Sequence, residues 1–372
     1  MLNGTQVIIA AAGLGTGLRP LSIERPKSLA PVCNRTLVNR LLNELQRAGI
    51  DEAVIAIGPS AHQAYQLFKA EAPADFNLRV EIMPKVFEGT VPLARHVWDS
   101  SASSAMVIYG DSLLSVDFRS LLNFHANARQ QGGAATILFH RPDDLRVPRA
   151  DGRTYHGVLS VDDEGRVTRF VEKPLVEEIA PPFDLANAAA FICERSLMEH
   201  PSMQEAKDFS FDVFEKIAAE NRFPLYGCDI KDGFRRDIGS LRRFFDINMQ
   251  VLRRELPAPI AGREVSRGVW IGEDTDCDSS RLIAPVCLGN RVVIKEGARI
   301  GPNAIIGDGC RIGERASVSE SVLLEGCEVG AQAQIENIIL GPHCRVGDGI
   351  ELPAHCVMGA YSIIGDDDLT GV

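Results

Sequence analysis

Residues 13–27 read GLGTGLRPLSIERPK and come one residue after the apolar run Val7-Ile8-Ile9-Ala10-Ala11. The run predicts a buried β-strand. A strand that enters a glycine-rich loop leading towards a helix is how α/β proteins present backbone N–H groups to phosphate. Two familiar loops do not fit. A dinucleotide fingerprint needs G-x-G-x-x-G, whereas the glycines here are Gly13, Gly15 and Gly17, so the third is misplaced. A Walker A loop needs Gly-Lys-Ser/Thr, and the first lysine of the chain is Lys27.

Working outward, apolar spacing predicts helices over residues 37–48, 61–72, 121–131, 209–219 and 241–256. Strands are predicted over 53–57, 79–83, 105–109 and 134–139, with a hairpin of 157–161 and 167–172 turned by Asp163-Glu164-Gly165. Residues 84–92 read as a loop. Alternation of this kind implies a Rossmann-like α/β domain, a mostly parallel sheet with helices on both faces. Ligands of such sheets bind beyond the carboxyl ends of the strands. The glycine loop and Gly110-Asp111, which closes strand 105–109, both lie at such ends.

After Pro257-Ala258-Pro259 the texture changes, placing an α/β domain at 1–256 and a second domain at 260–372. Aliphatic residues recur every six positions at Leu288, Ile294, Ile300, Ile306, Ile312, Val318 and Leu324. They resume after slips at Val329 and Ile335, then at Leu340, Val346, Leu352, Met358 and Ile364. A hexapeptide period with small residues four positions later is the mark of a left-handed parallel β-helix, three hexads to a coil. Cys287, Cys310, Cys327, Cys344 and Cys356 fall at the small-residue position and read as core filler.

Composition bounds the function. The 372 residues carry a net charge of −11, which argues against a general binder of nucleic acid or anionic membrane. No apolar run approaches the roughly 20 residues of a membrane helix, and the start lacks a basic leader region. Nine cysteines without a C-x-x-C pair suit a reducing cytoplasm.

Thr16, Arg19, Pro20 and Pro26-Lys27 give the opening stretch its family. It resembles the signature of sugar nucleotidyltransferases, G-x-G-T-R-L-x-P-L-T-x-x-x-P-K. Phe170-Val171-Glu172-Lys173-Pro174 matches the family F-x-E-K-P, and Asn187-Ala188-Ala189 resembles its N-A-G. FSFDVFEKIAA from Phe209, Leu225-Tyr226-Gly227 and GFRRDIGS from Gly233 are similar to segments of bacterial mannose-1-phosphate guanylyltransferases. The resemblance implies transfer of a nucleotidyl group from an NTP, with GTP favoured, to a sugar 1-phosphate, with release of pyrophosphate. Catalytic roles are implied for Lys27, Arg19, Asp111 and Lys173, and nucleotide contacts for Ala12, Gly13, Gly15, Thr16, Gly89, Thr90 and Gly110. Glu172, Lys173 and Asn187 would hold the sugar phosphate, and Asp111 and Asp237 a Mg²⁺ ion. A homo-oligomer through the β-helix, and a related paralogue as a further partner, are implied as well.

The chain departs from the pattern at four places. Gly17 stands where the family has Arg, Pro92 where it has a second loop Gly, Ala189 for Gly, and Arg235 for an aromatic residue. Loss of one preorganised donor at a developing charge costs about 10²–10³ in rate. One reading is an active enzyme whose pocket is rebuilt, with Arg19 or Arg235 restoring charge and an unusual acceptor such as a cyclitol phosphate. The alternative is a weak or inactive paralogue that binds nucleotide and regulates a partner. A β-helix acyltransferase using His343 or His355 ranks far behind, since both precede a small-residue position and should face solvent.

Overall fold

Val7, Ile8 and Ile9 are buried at the centre of a nine-stranded sheet in the computed structural model, which describes residues 4–277 and 281–365. In chain order its strands are β1 (Thr5–Ala11), β2 (Glu52–Ile57), β3 (Asn77–Ile82), β4 (Ser104–Tyr109), β5 (Ala135–His140), β6 (Gly157–Val161), β7 (Val167–Glu172), β8 (Leu185–Glu194) and β9 (Leu225–Asp229). β1 runs parallel to β2 and β4, with Ile9 opposite Ile55 and Ile108, and β3 continues the parallel run beyond β2. β9 is parallel to β5. The sheet is mixed because β8 runs antiparallel to β4, β5 and β6. All ten residues of β8 are buried. Its sequence, LANAAAFICE, is rich in alanine and poor in the alternation that marks a half-exposed strand, so the pattern does not betray it.

The aromatic side chains of one face lock together. Phe191 of β8 lies 4.6 Å from Phe209 and 4.9 Å from Phe214, ring centre to ring centre. The predicted regular helix over 209–219 is instead a π-helical segment, Phe209–Phe214, followed by an α-helical one, Glu215–Glu220. Asp208 caps it, accepting hydrogen bonds from the amides of Ser210 and Phe211. Residues 84–92 are not wholly loop either: helix α2 (Thr90–Val97) follows α1 (Leu37–Arg47) and precedes α3 (Phe118–Gln130). Pro92 sits in the first turn of α2, where its missing N–H has no intrahelical partner to lose. Residues 61–72 split into a 3₁₀ turn, Pro59–Ala64, and a short α-helix, Tyr65–Ala70.

The repeat folds as coils of a parallel β-helix. Leu288 is in register with Ile306, Ile306 with Leu323, Leu323 with Leu340, and Leu340 with Met358. The axial residue is therefore Leu323, not Leu324 as six-residue counting predicts. The coil shortens one position earlier, and Leu324 is buried elsewhere. Cys310, Cys327 and Cys344 fill the core and Cys356 packs against it. Cys287 is the exception among the five. Its neighbours Val286 and Leu288 face the core, while its sulfur lies 3.5 Å from the Asn34 amide nitrogen. Ile364 is exposed where the period expects an axial residue. His343 and His355 face solvent, and His343 stacks on Tyr361.

Two compact units result, and they do not follow the linear split at 256–260. One comprises Met1–Gly13 and Val38–Arg236; the other comprises Leu14–Leu37 and the chain from Asp237 onward. The opening loop and helix α4 (Leu241–Leu252) thus belong with the β-helix. Among the described residues no helix is long and apolar enough to cross a membrane.

Candidate active site

In the unit that contains the β-helix, the glycine loop is shaped by three features. Gly15 adopts φ 60°, a left-handed conformation natural to glycine, and the Ser22 hydroxyl donates to its carbonyl at 2.7 Å. Thr16–Leu18 form a single 3₁₀ turn, with Leu18 buried and Thr16 and Arg19 exposed. Gly17 meets the backbone of Gly239, where a Cβ would stand 2.0 Å from the carbonyl oxygen. The position that carries Arg in the family signature is here closed to any side chain while this backbone is kept.

Pro26 then sets the chain for the turn Lys27–Leu29. Lys27 Nζ donates to Asp237 Oδ1 at 3.2 Å, and Arg243 Nη1 donates to Asp237 Oδ2 at 3.3 Å. Arg243 was not foreseen. It reaches Asp237 because Ser240 caps α4, accepting from the Arg243 amide, so Arg243 stands in the helix's first turn. Asp237 is thus a carboxylate set between two cations.

The other unit gathers a second group. Gly110 is buried after β4, its amide donating to the Ala10 carbonyl, and a Cβ there would lie 2.9 Å from Ile9 Cγ2. Ala12 is half-buried after β1, Gly13 is exposed, and Asp111 is half-buried after β4. Thr90 opens α2, with Gly89 at φ 97° pressed against the Lys207 carbonyl. The Thr90 hydroxyl lies 3.4 Å from the Tyr109 hydroxyl and 3.3 Å from Asp208 Oδ2. Burial pushes the Tyr109 phenol far up, with Asp208, Glu172 and Asp111 adding to the rise, so it stays a neutral donor.

At the end of β7, Glu172 lies over Gly157 of β6, where a Cβ would fall 2.4 Å from Glu172 Oε2 and 3.5 Å from Asn187 Cβ. Burial raises the Glu172 carboxyl above its ordinary value; Lys173, 3.4 Å away, pulls the other way, and Asp208 adds to the rise. Lys173 has φ 52° and Ala189 φ 60°, both left-handed. Ala189 thus holds a backbone shape natural to glycine, and its amide donates to Asn187 Oδ1 at 3.0 Å. Arg235 Nε donates to Ser112 Oγ at 3.3 Å, beside Asp111 in sequence.

The expected residues thus fall into two groups. Lys27 and Asp237 are in contact, and Thr90, Glu172, Lys173 and Asn187 cluster with Tyr109 and Asp208. Asp208 and Tyr109 were missed, although Asp-Phe-Ser ahead of a helix is a legible cap. A broad groove beside α3, lined by Arg47, Asp117, Arg119, Asp163, Lys231 and Asp232, holds none of the expected residues.

A family model described as "Nucleotidyl transferase" matches residues 6–254, and one described as "GMPPB C-terminal domain" matches residues 282–369. The chain is 27% identical to a UTP–glucose-1-phosphate uridylyltransferase of Synechocystis sp., over 86% of this chain and 83% of that protein. It is 28% identical to a probable mannose-1-phosphate guanylyltransferase 1 of Oryza sativa, over 79% of each. With a mannose-1-phosphate guanylyltransferase of Mycobacterium tuberculosis the identity is 27%, over 79% of this chain and 76% of that one.

Proposed function

From the premise that this chain belongs to the nucleotidyl transferase family, we propose that it transfers a guanylyl group from GTP to mannose 1-phosphate, releasing pyrophosphate. The observation that carries the reading is Lys27 held against Asp237 at the foot of the glycine loop. The guanylyl preference is supported by relatives named for that activity and by the matched C-terminal family; a relative named for uridylyl transfer marks the nearest competitor.

A phosphate oxygen of the sugar 1-phosphate attacks the α-phosphorus in line. The bond from that phosphorus to the bridging oxygen breaks, and pyrophosphate leaves with the electron pair. No covalent protein nucleophile is needed, so positioning and electrostatics supply the rate. Lys27 offers a point charge to the triphosphate, with Arg19 as an exposed second cation on the same loop. The amides of Gly13, Gly15 and Thr16 face the phosphates, Ala12 and Gly110 shape the ends of their own strands, and Gly89 with Thr90 contacts the nucleotide. Lys173 holds the sugar phosphate, and Glu172, once ionised, accepts from sugar hydroxyls beside Asn187.

Asp111 and Asp237 offer oxygen donors of the kind Mg²⁺ prefers. Among the described residues no cluster of three or more His, Cys, Asp or Glu side chains could hold a metal. Either carboxylate suits an ion that keeps water and takes the rest of its ligands from substrate phosphates. Bound there, Mg²⁺ would neutralise charge on the triphosphate. Self-association through the β-helix, a paralogue partner and a cytoplasmic location belong to the same reading.

The test is pyrophosphate release by the purified chain with Mg²⁺, each NTP and a panel of sugar 1-phosphates. GTP with mannose 1-phosphate should give the highest kcat/KM. Nucleotide binding without turnover for any pair would overturn the reading in favour of a regulatory paralogue.

A further inference from the structure

Arg25 lies two residues before Lys27, and its guanidinium is gripped by a residue 300 positions away. Nη1 donates to Glu325 Oε2 at 3.2 Å, and Nη2 donates to Glu325 Oε1. This is a two-pronged pairing, the geometry in which arginine and carboxylate bind best and fix one another's orientation. A guanidinium held by both carboxylate oxygens is not offered to phosphate, so Arg25 does not replace the cation absent at Gly17.

The β-helix is built locally to make this grip. Leu323 takes the axial place, and Leu324 and Glu325 follow it with their backbones still in the coil ladder, the Leu324 amide donating to the Leu340 carbonyl and the Glu325 carbonyl accepting from the His343 amide. Leu324 lines a small space with Leu18, Leu21, Pro26 and Phe244, so the loop has an apolar seat beside the ion pair. A second tie lies further along the same segment, where Asn34 Nδ2 donates to the Ile306 carbonyl at 2.8 Å. Between Arg25 and Lys27 stands only Pro26, whose ring fixes φ, here −53°. Holding Arg25 therefore holds the backbone from which Lys27 reaches Asp237.

We propose that Glu325 is a positioning residue of the nucleotidyl transfer: by clamping Arg25 it sets Lys27 for the triphosphate, so the β-helix takes part in the reaction as the seat of the phosphate loop. The inference rests on the function proposed above and names the part of the chain that regulates that site's geometry. It needs no covalent role for Glu325.

The experiment uses the full chain as wild type, Glu325→Gln, Glu325→Ala, Arg25→Glu, and the swapped pair Arg25→Glu with Glu325→Arg. Misplacing a positioning group by about 1 Å costs up to about 10²-fold. Each single variant should lose about ten-fold or more in kcat, with KM for the NTP raised and KM for the sugar 1-phosphate unchanged. The swapped pair should recover most of the loss. Hydrogen exchange at the amides of residues 14–29 should quicken in the single variants while the coils keep their protection. Wild-type kcat and KM with unchanged exchange would overturn the proposal, as would a loss of protection throughout the coils, which marks a merely structural clamp. Should wild type turn over no substrate pair, the proposed function fails; loop exchange and the affinity for GTP, compared across the same variants, still decide whether Glu325 sets the loop. If Glu325→Ala does not fold, Glu325→Gln and the swap carry the test.

Discussion

Gly17 approaches Gly239 so closely that a Cβ on it would stand 2.0 Å from the Gly239 carbonyl oxygen, with backbone rather than a yielding side chain in the way. Replacing Gly17 by the family arginine should therefore not repair the site. Gly17→Ala isolates the steric effect and is expected to cost about 1–3 kcal/mol, the usual range for forced overpacking, read by denaturant unfolding. Gly17→Arg should lower pyrophosphate release below wild type. A rise in turnover would show that the loop tolerates the arginine and that the native pocket lacks it.

Glu172 gives a pH test. Its carboxyl is raised above 4.5 by burial, so the folded chain holds that proton to higher pH than the unfolded chain does. Its favourable contribution is full below about pH 4.5 and is lost as pH rises through the raised value. Glu172→Gln removes the penalty for ionising in a buried place. The variant should gain stability over wild type at pH 7–8, and the gain should shrink as pH falls towards 4.5. Unfolding midpoints across that range check the sign, and sugar-phosphate turnover should fall in the same variant.

Ala189 tests whether a departure in sequence is a departure in structure. The left-handed backbone costs an alanine about 1–2 kcal/mol. Glycine would lose about 0.5–1 kcal/mol in backbone freedom and about 0.8 kcal/mol for the missing buried methyl. Ala189→Gly should then shift stability by less than about 1 kcal/mol, whereas Ala189→Val, branched at Cβ, should lose about 2 kcal/mol or more. Denaturant midpoints separate the two.

Removal of divalent metal by EDTA is expected to stop turnover, and added Mg²⁺ to restore it. Asp111→Asn and Asp237→Asn should each lower activity by about 10² or more, since each removes a carboxylate proposed to hold the cation that offsets the triphosphate charge. Thermal unfolding of Asp111→Asn should stay close to wild type, whereas Asp237→Asn, which breaks the ion pairs to Lys27 and Arg243, should unfold at a lower temperature. Retained activity in either would take that aspartate out of the metal role.

Thiol chemistry provides a check away from the site. Seven of the nine cysteines are buried, and only Cys277 and Cys356 are half-exposed. Burial pushes the Cys228 thiol up to about 11 and Cys193 further, so neither supplies thiolate near neutral pH. Iodoacetamide on the native chain should label Cys277 and Cys356 alone, as read by peptide mass spectrometry.

Legibility followed periodicity. β1, β2, β4 and the hairpin of β6 and β7 announce themselves through apolar runs and a turn signal, and the coils do so through a six-residue beat. β8 hides behind its alanines, and α2 hides behind Pro92, which looks like a helix breaker until it is placed in a first turn. The slip to Leu323 was invisible because Leu323 and Leu324 are the same residue type side by side. Motifs pointed to Lys27, Asp237, Glu172 and Lys173, which the fold brings into contact pair by pair. Tyr109, Asp208 and Arg243 escaped because their roles come from packing and capping, not from spacing. Nothing local could have joined Arg25 to Glu325.

The opening loop completes its fold only with residues from Asp237 onward. During synthesis at roughly 5–20 residues per second, tens of seconds separate the emergence of Lys27 from that of Asp237, and longer still from that of Glu325. A segment that leaves the ribosome long before the coils is thus among the last to dock, and a nascent chain halted before the coils would carry every signature motif and still hold an unfinished phosphate cradle.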